Sequence, residues 1–123
     1  MKHILCLLFF LSLTTVDLAA ATHNIKEYGA IGDGKHIDSP AINAAIEAAA
    51  QNGGGTVYIP AGKYACYSIR LKSHLTIYLE AGAEIIAAFP TQTAGYDEAE
   101  ENPHNLYQDF GHSHWKNSLM WGI

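Results

Sequence analysis

Carboxylates and imidazoles crowd the last quarter of this 123-residue sequence: Asp97, Glu98, Glu100 and Glu101 come first, then His104, Asp109, His112 and His114. Two carboxylates in different surroundings can divide the roles of acid and base. Here the four stand side by side on a polar stretch that offers neither burial nor fixed spacing to separate their pKa values, so the group reads as a solvated loop. His112 and His114, spaced to point both rings to one side of an extended segment, invite a divalent cation together with His104, Glu101 and Asp109. A metal site needs three or four ligands held by a second layer of partners, and no such frame is legible. The flat faces of Tyr107, Trp115 and Trp121 suit sugar rings, although packing between elements is the alternative use for the two Trp residues. Arg70 and Lys72 flank Leu71 on the outward side of a strand, where a basic pair can touch a polyanion or simply face water. Gly29, Gly32 and Gly34, and Gly53-Gly54-Gly55, match no phosphate-binding pattern and read as turns. No catalytic, cofactor-binding or metal-ligating residue is assigned from these groups.

The charge balance narrows the partners. Seven Lys and Arg against twelve Asp and Glu give a net charge of −5, which offers no support for nucleic-acid binding, whose affinity comes from clustered cations. The start Met1-Lys2-His3, the apolar run 4–13 and the small residues Ala19-Ala20-Ala21 form a secretory signal, with cleavage expected after Ala21. The apolar run falls short of the roughly 20 residues that span a bilayer. The chain is therefore expected outside the cytoplasm, secreted or periplasmic, with no membrane contact after cleavage. Of the two cysteines only Cys66 lies in residues 22–123, so packing must supply the stability that a disulfide would otherwise add.

The elements that would position these groups follow from periodicity. Residues 24–30 read as a short strand, and Gly32-Asp33-Gly34 as a tight turn. A helix over about 39–52 opens with Asp38 or Ser39 as N-cap and Pro40 in the first turn. It carries Ile42, Ala45, Ile46 and Ala49 along one stripe and ends at Asn52-Gly53. From residue 55 the period changes to two, and Thr56-Val57-Tyr58-Ile59-Pro60-Ala61-Gly62 matches Thr76-Ile77-Tyr78-Leu79-Glu80-Ala81-Gly82 with no gap. An internal repeat of that length marks one coil of a β-solenoid. Val57, Ile59, Ile77 and Leu79 form its inward column, and Ala-Gly its corner. Residues 67–71 and 84–88 supply further short strands. The apolar stripe of the helix suits a cap over the first coil, which would otherwise expose strand edges. Residues 91–116 form a long polar loop, and 118–123 open a last strand with nothing to pair against, as in a chain cut short.

These residues resemble the N-terminal region of the polygalacturonase family, family 28 of the glycoside hydrolases, within the pectin-lyase-like superfamily. The carriers run through residues 24–88: Tyr28-Gly29-Ala30-Ile31-Gly32-Asp33-Gly34, Ala41-Ile42-Asn43-Ala44-Ala45-Ile46, Gly53-Gly54-Gly55-Thr56-Val57-Tyr58-Ile59-Pro60-Ala61-Gly62, and Leu71-Lys72-Ser73-His74-Leu75-Thr76-Ile77-Tyr78-Leu79. The resemblance implies the first coils of a right-handed parallel β-helix with an N-terminal capping α-helix over residues 22–123, and pectic polysaccharide as partner. It also implies hydrolysis by two carboxylates about 6.5 to 9.5 Å apart, one protonating the leaving oxygen and one activating water. In the family those come from Asn-x-Asp and Asp-Asp motifs on later coils, and neither motif occurs here, so no catalytic residue is carried over. A non-catalytic glycan-binding or self-associating module, pairing through its open last coil, and a pectate-lyase-like relative are the competing expectations. No cofactor is called for.

Overall fold

The computed structural model describes residues 21–101 and 116–122; the expected signal segment, save Ala21, and most of the expected polar loop lie outside them. Eight short strands and one helix follow the order β1 (Thr22–Asn24), β2 (Asp33–Ile37), α1 (Ser39–Gln51), β3 (Gly55–Ile59), β4 (Gly62–Cys66), β5 (Ile69–Leu71), β6 (Leu75–Leu79), β7 (Ala83–Ala87) and β8 (Met120–Gly122). From β3 onward each strand pairs, in parallel, with the one three places later: β3 with β6, β4 with β7, β5 with β8. The chain thus winds, and each winding lays its three strands against those of the last. β1 and β2 extend two of these sheets by one strand before the helix, giving the orders β1-β3-β6 and β2-β4-β7, while the third sheet holds, among the described residues, only β5 and β8.

The repeat dictates the first register. Thr56 faces Thr76, Val57 faces Ile77 and Ile59 faces Leu79, so like residues stack and the alternation points the same side chains inward on both turns. Val57 and Ile59 are fully buried, but Leu79 remains 42% exposed. Leu79 is inward by register yet uncovered, because no described strand lies beyond β6. On the outward face Tyr58 and Tyr78 stack with ring centres 5.8 Å apart.

The match of Ala61-Gly62 to Ala81-Gly82 does not survive the corner. Gly62 pairs with Ala83, one residue later than the repeat implies. The second corner holds one residue more, and Gly62 N–H donates to the Gly82 carbonyl across it at 3.1 Å. Glu80 fastens the two corners together, accepting the Ala61 N–H at 2.9 Å. That bond, followed by one from Tyr58, holds the Glu80 carboxyl below its ordinary range.

Residues 24–30 also depart from the expected strand. Only Thr22–Asn24 is extended, and Ile25–Tyr28 forms a single 3-10 turn. The Asn24 side chain accepts the Lys26 N–H at 3.0 Å, and Gly29 closes the turn at φ 98°, so local hydrogen bonding outcompetes the ladder. Gly32 and Gly34 are both left-handed, but in place of the expected tight turn Asp33 and Gly34 open strand β2. A Cβ at Gly32 would come within 2.8 Å of the Tyr64 ring.

The helix begins at Ser39 with Asp38 in the N-cap position, yet the Asp38 carboxylate makes no capping bond. It turns instead to the glycine loop, accepting the N–H groups of Ile31 at 2.7 Å and Gly32 at 2.9 Å. Asp38 is fully buried, and its own N–H donates to the Ala65 carbonyl at 2.8 Å. One residue therefore joins the loop, the helix start and β4. Ser39 is diverted as well, its hydroxyl accepting the Tyr67 N–H at 3.2 Å. Ile42, Ala45, Ile46 and Ala49 are buried as the stripe requires, against Ile25, Val57 and Ile59. Burial of each isoleucine is worth about 1.5–3 kcal/mol.

The third sheet lacks a strand ahead of β5, and α1 stands in for it. Ile69 N–H points to β8, bonding the Leu119 carbonyl at 2.8 Å, so Ser68 and Arg70 point their backbone groups the other way. Both meet the side chain of Asn43, whose amide donates to the Ser68 carbonyl at 2.9 Å and accepts the Arg70 N–H at 2.8 Å. A single primary amide thus completes the edge as a neighbouring strand would. Asn43→Ala strips both groups of their partner, and chemical denaturation should show a loss of about 1–3 kcal/mol, with faster hydrogen exchange at the Arg70 amide; unchanged exchange there would refute the strand-like role.

Cys66 is fully buried. Burial, and secondarily the charge of Asp38, push its thiol up to about 12. Since the thiolate is the reactive form, iodoacetamide at pH 8 should leave the Cys66 peptide unlabelled in the folded protein and alkylate it in urea, read by peptide mass spectrometry.

Candidate functional site

A cleft of about 480 Å³ opens between the first turn of α1, the approach to β5 and the segment 94–97, lined by Ser39, Asn43, Tyr67, Arg70, Gly95 and Asp97. Its floor is the edge that Asn43 and Ser39 complete. Its far wall is chain that follows β7 and returns across β5.

Asp97 makes that return. Its N–H donates to the Ser68 hydroxyl at 2.9 Å, and its carboxylate accepts the Arg70 Nε–H and the Trp121 indole N–H, each at 2.8 Å. The second arm of the Arg70 guanidinium completes a two-point contact, the geometry that makes arginine–carboxylate pairs both strong and directional. Arg70 and Trp121 are register partners on β5 and β8 and project on the same outward face. The Lys116 ammonium lies 5.4 Å from the centre of the Trp121 ring, within cation–π range. Ser68 is buried and binds the loop's other end, donating its hydroxyl proton between the carbonyls of Ser118 at 2.8 Å and Lys116 at 3.3 Å. Tyr96 adds a hydroxyl bond to the Ala88 carbonyl at 2.9 Å and an edge contact with Tyr67.

These contacts correct the reading of the acidic group as a solvated loop. The Arg70 guanidinium above all, with help from the Trp121 indole, holds the Asp97 carboxyl below its ordinary value, against the opposing effect of burial. Glu100 is likewise engaged, accepting the Lys116 N–H at 3.2 Å. Glu98 and Glu101 are exposed. The basic pair also splits: Arg70 goes to Asp97, whereas Lys72 meets Glu47 of α1 at 3.5 Å, an exposed pair of little energetic weight. The two cations of Arg70-Leu71-Lys72 are thus parted by separate partners. The last strand, expected to have nothing to pair against, pairs with β5.

His104, Tyr107, Asp109, His112, His114 and Trp115 lie outside the described residues. Among the described residues no group of three His, Cys, Asp or Glu side chains could hold a metal ion, and no helix is long and apolar enough to cross a membrane. The cleft lining carries one carboxylate, Asp97, with both oxygens already bonded and its charge held by Arg70. Such a group cannot donate a proton near neutral pH, and no partner acid stands in the lining to share hydrolysis with it. What the cleft lining offers is polar contact: the Arg70 guanidinium, the Tyr67 phenol, the Asn43 amide and the Ser39 and Ser68 hydroxyls, with the Trp121 indole joined to it through Asp97.

Residues 22–110 match the rhamnogalacturonase A/epimerase, pectate lyase-like family, and the chain belongs to that family. Over 49 residues it is 60% identical to the mannuronan C5-epimerase AlgE3 of Azotobacter vinelandii, a match covering 40% of this chain and 3% of the epimerase. Among solved structures, the family 28 exopolygalacturonase of Yersinia enterocolitica superimposes with a TM-score of 0.67 at 30% identity, over 85% of this chain and 17% of that one. PfbA, a surface adhesin of Streptococcus pneumoniae, gives 0.51 at 48% identity, over 53% of this chain and 15% of that one. The chain thus spans a small part of the length of each relative. Membership in a pectate lyase-like family accounts for the parallel windings; it does not select hydrolysis, epimerisation or adhesion.

Because Asp97 titrates below its ordinary 3.8, the stability it confers is complete above that value and is lost as pH falls through the depressed one. Asp97→Asn should therefore flatten the decline in thermal midpoint as pH falls below about 4. An undiminished acid decline in the variant would show that Arg70 and Asp97 do not pair in solution.

Proposed function

We propose that this chain is the capped beginning of a secreted, right-handed β-solenoid protein of the polygalacturonase type, acting on pectic polysaccharide, and that it contributes glycan-binding surface and no catalytic group. In this reading residues 1–21 are the removed signal and 22–123 the cap and first coils. The observation that carries it is the outward face of β5 and β8, where Arg70 lines the cleft and its register partner Trp121 shares Asp97 with it, while the described lining holds no second carboxylate. The superposition on an exopolygalacturonase over most of the chain supports the hydrolase branch. The absence of Asn-x-Asp and Asp-Asp from the 123 residues agrees with a binding share only.

A second reading has an observation of its own. Similarity to a surface adhesin favours a non-catalytic module that holds glycan or associates with another copy through β6, β7 and β8, whose outer edges have no partner strand among the described residues. The epimerase similarity keeps a polyuronate other than pectate in view for either reading.

The purified chain should release no reducing ends from polygalacturonate above a buffer blank, and should generate no unsaturated ends absorbing in the ultraviolet, while its migration in native gels is retarded by polygalacturonate. Turnover of the polymer would refute the non-catalytic share. Unretarded migration would remove the glycan-binding reading.

A further inference from the structure

The surroundings of Asp97 form a receptor for a carboxylate, already filled from within. The Arg70 guanidinium grips it at two points and the Trp121 indole N–H supplies a third donor at 2.8 Å. The Lys116 ammonium, held against the indole ring, adds a second positive charge that acts on the same carboxyl. Two cations and an indole converge on one acid in the wall of an open cleft, with Arg70 itself still half exposed (55%) and Asp97 at 21%. A purely structural ion pair does not require that its cation stay open to the cleft.

We propose that this receptor takes the carboxylate of a uronic acid residue, and that Asp97 is a displaceable placeholder: an incoming sugar acid exchanges with Asp97 on Arg70 and Trp121, freeing the segment that Asp97 ties down. The exchange preserves charge, one carboxylate leaving the guanidinium as another arrives, and no covalent bond changes. It excludes neutral sugars, which cannot replace the charge that Arg70 and Lys116 would lose. It also couples binding to motion. The other bond at Asp97, from its N–H to the Ser68 hydroxyl, the Tyr96 hydroxyl bond to Ala88 and the edge contact of Tyr96 with Tyr67 are the remaining described ties of residues 94–97 to the windings, so releasing the carboxylate loosens the cleft wall. The inference rests on the glycan-binding reading above and deepens it by naming the residue that competes with the sugar acid and the segment its displacement frees.

Trigalacturonate is the probe, with maltotriose as the neutral control, both measured by calorimetry on the full chain. Asp97→Asn removes the competing charge while leaving an oxygen for the Trp121 indole, and should tighten trigalacturonate binding about tenfold or more, with maltotriose unbound by either protein. Arg70→Gln should abolish binding in both backgrounds. In the unmodified protein, nitrogen-resolved NMR should show the Arg70 Nε–H and Trp121 Nε1–H signals moving together as trigalacturonate is added, a readout that survives if the variants fold poorly. Unchanged or weaker affinity in a folded Asp97→Asn, or binding that leaves the Trp121 indole signal in place, overturns the placeholder role while the glycan-binding reading stands. No binding by either protein overturns both.

Discussion

A parallel winding can only begin if something satisfies the free edge of its first strands, and in this chain that constraint falls on two polar side chains of an alanine-rich helix. Asn43 meets the carbonyl of Ser68 and the N–H of Arg70 as a strand would, and Ser39, one helical turn earlier and on the same face, meets the N–H of Tyr67. The apolar stripe of α1 drives it onto the windings, but these bonds decide where along β5 it rests. Asp38 fixes the third coordinate by drawing the glycine loop and β4 to the helix start. With α1 set in this way, β5 has a completed inner edge and can accept β8 on the other. The cleft, Arg70 and the return of Asp97 all build on that edge.

The helix and the first sheet were legible because each rests on a repeating choice of residue type. The stripe from Ile42 to Ala49 has one helical face, and the seven-residue repeat carries its own register, so both appear in the structure where the periodicity puts them. The corners were not legible, since the repeat continues through Ala-Gly in sequence while the chain in space needs an extra residue there and a tether from Glu80. β2 and β4 escaped notice for a related reason. Asp33-Gly34-Lys35-His36-Ile37 carries almost no apolar alternation, and in Gly62-Lys63-Tyr64-Ala65-Cys66 the deepest side chain is a tyrosine whose hydroxyl finds the Pro60 carbonyl at 2.9 Å. Asn24 and Gly29 each signalled a turn, but the apolar residues between them favoured a strand on pattern alone.

The site was legible only as separate parts. Arg70 was visible as an outward cation, Asp97 as one acid among four, and Trp121 as one aromatic among several. Their meeting depends on β8 returning beside β5, a pairing that joins residues 51 positions apart, Ile69 with Met120. No local spacing encodes that contact. Once made, it changes what each group can do: the acid is held ionised, the cation is directed, and the indole has a polar anchor. This division of labour is that of a surface that grips and orients. Among the described residues β8 has no further strand beside it, so the outward face ends at that edge.

One corner of the winding tolerates very different lengths of chain. Between β4 and β5 it is crossed by Tyr67 and Ser68 alone, whereas one winding later residues 88–119 separate β7 from β8. The strands on either side keep their parallel pairing in both cases. The framework therefore treats this vertex as a socket: sequence can be lengthened, exchanged or grafted there without disturbing the ladder. Any attempt to give this protein a new recognition loop would concentrate at that vertex and leave the sheets unchanged.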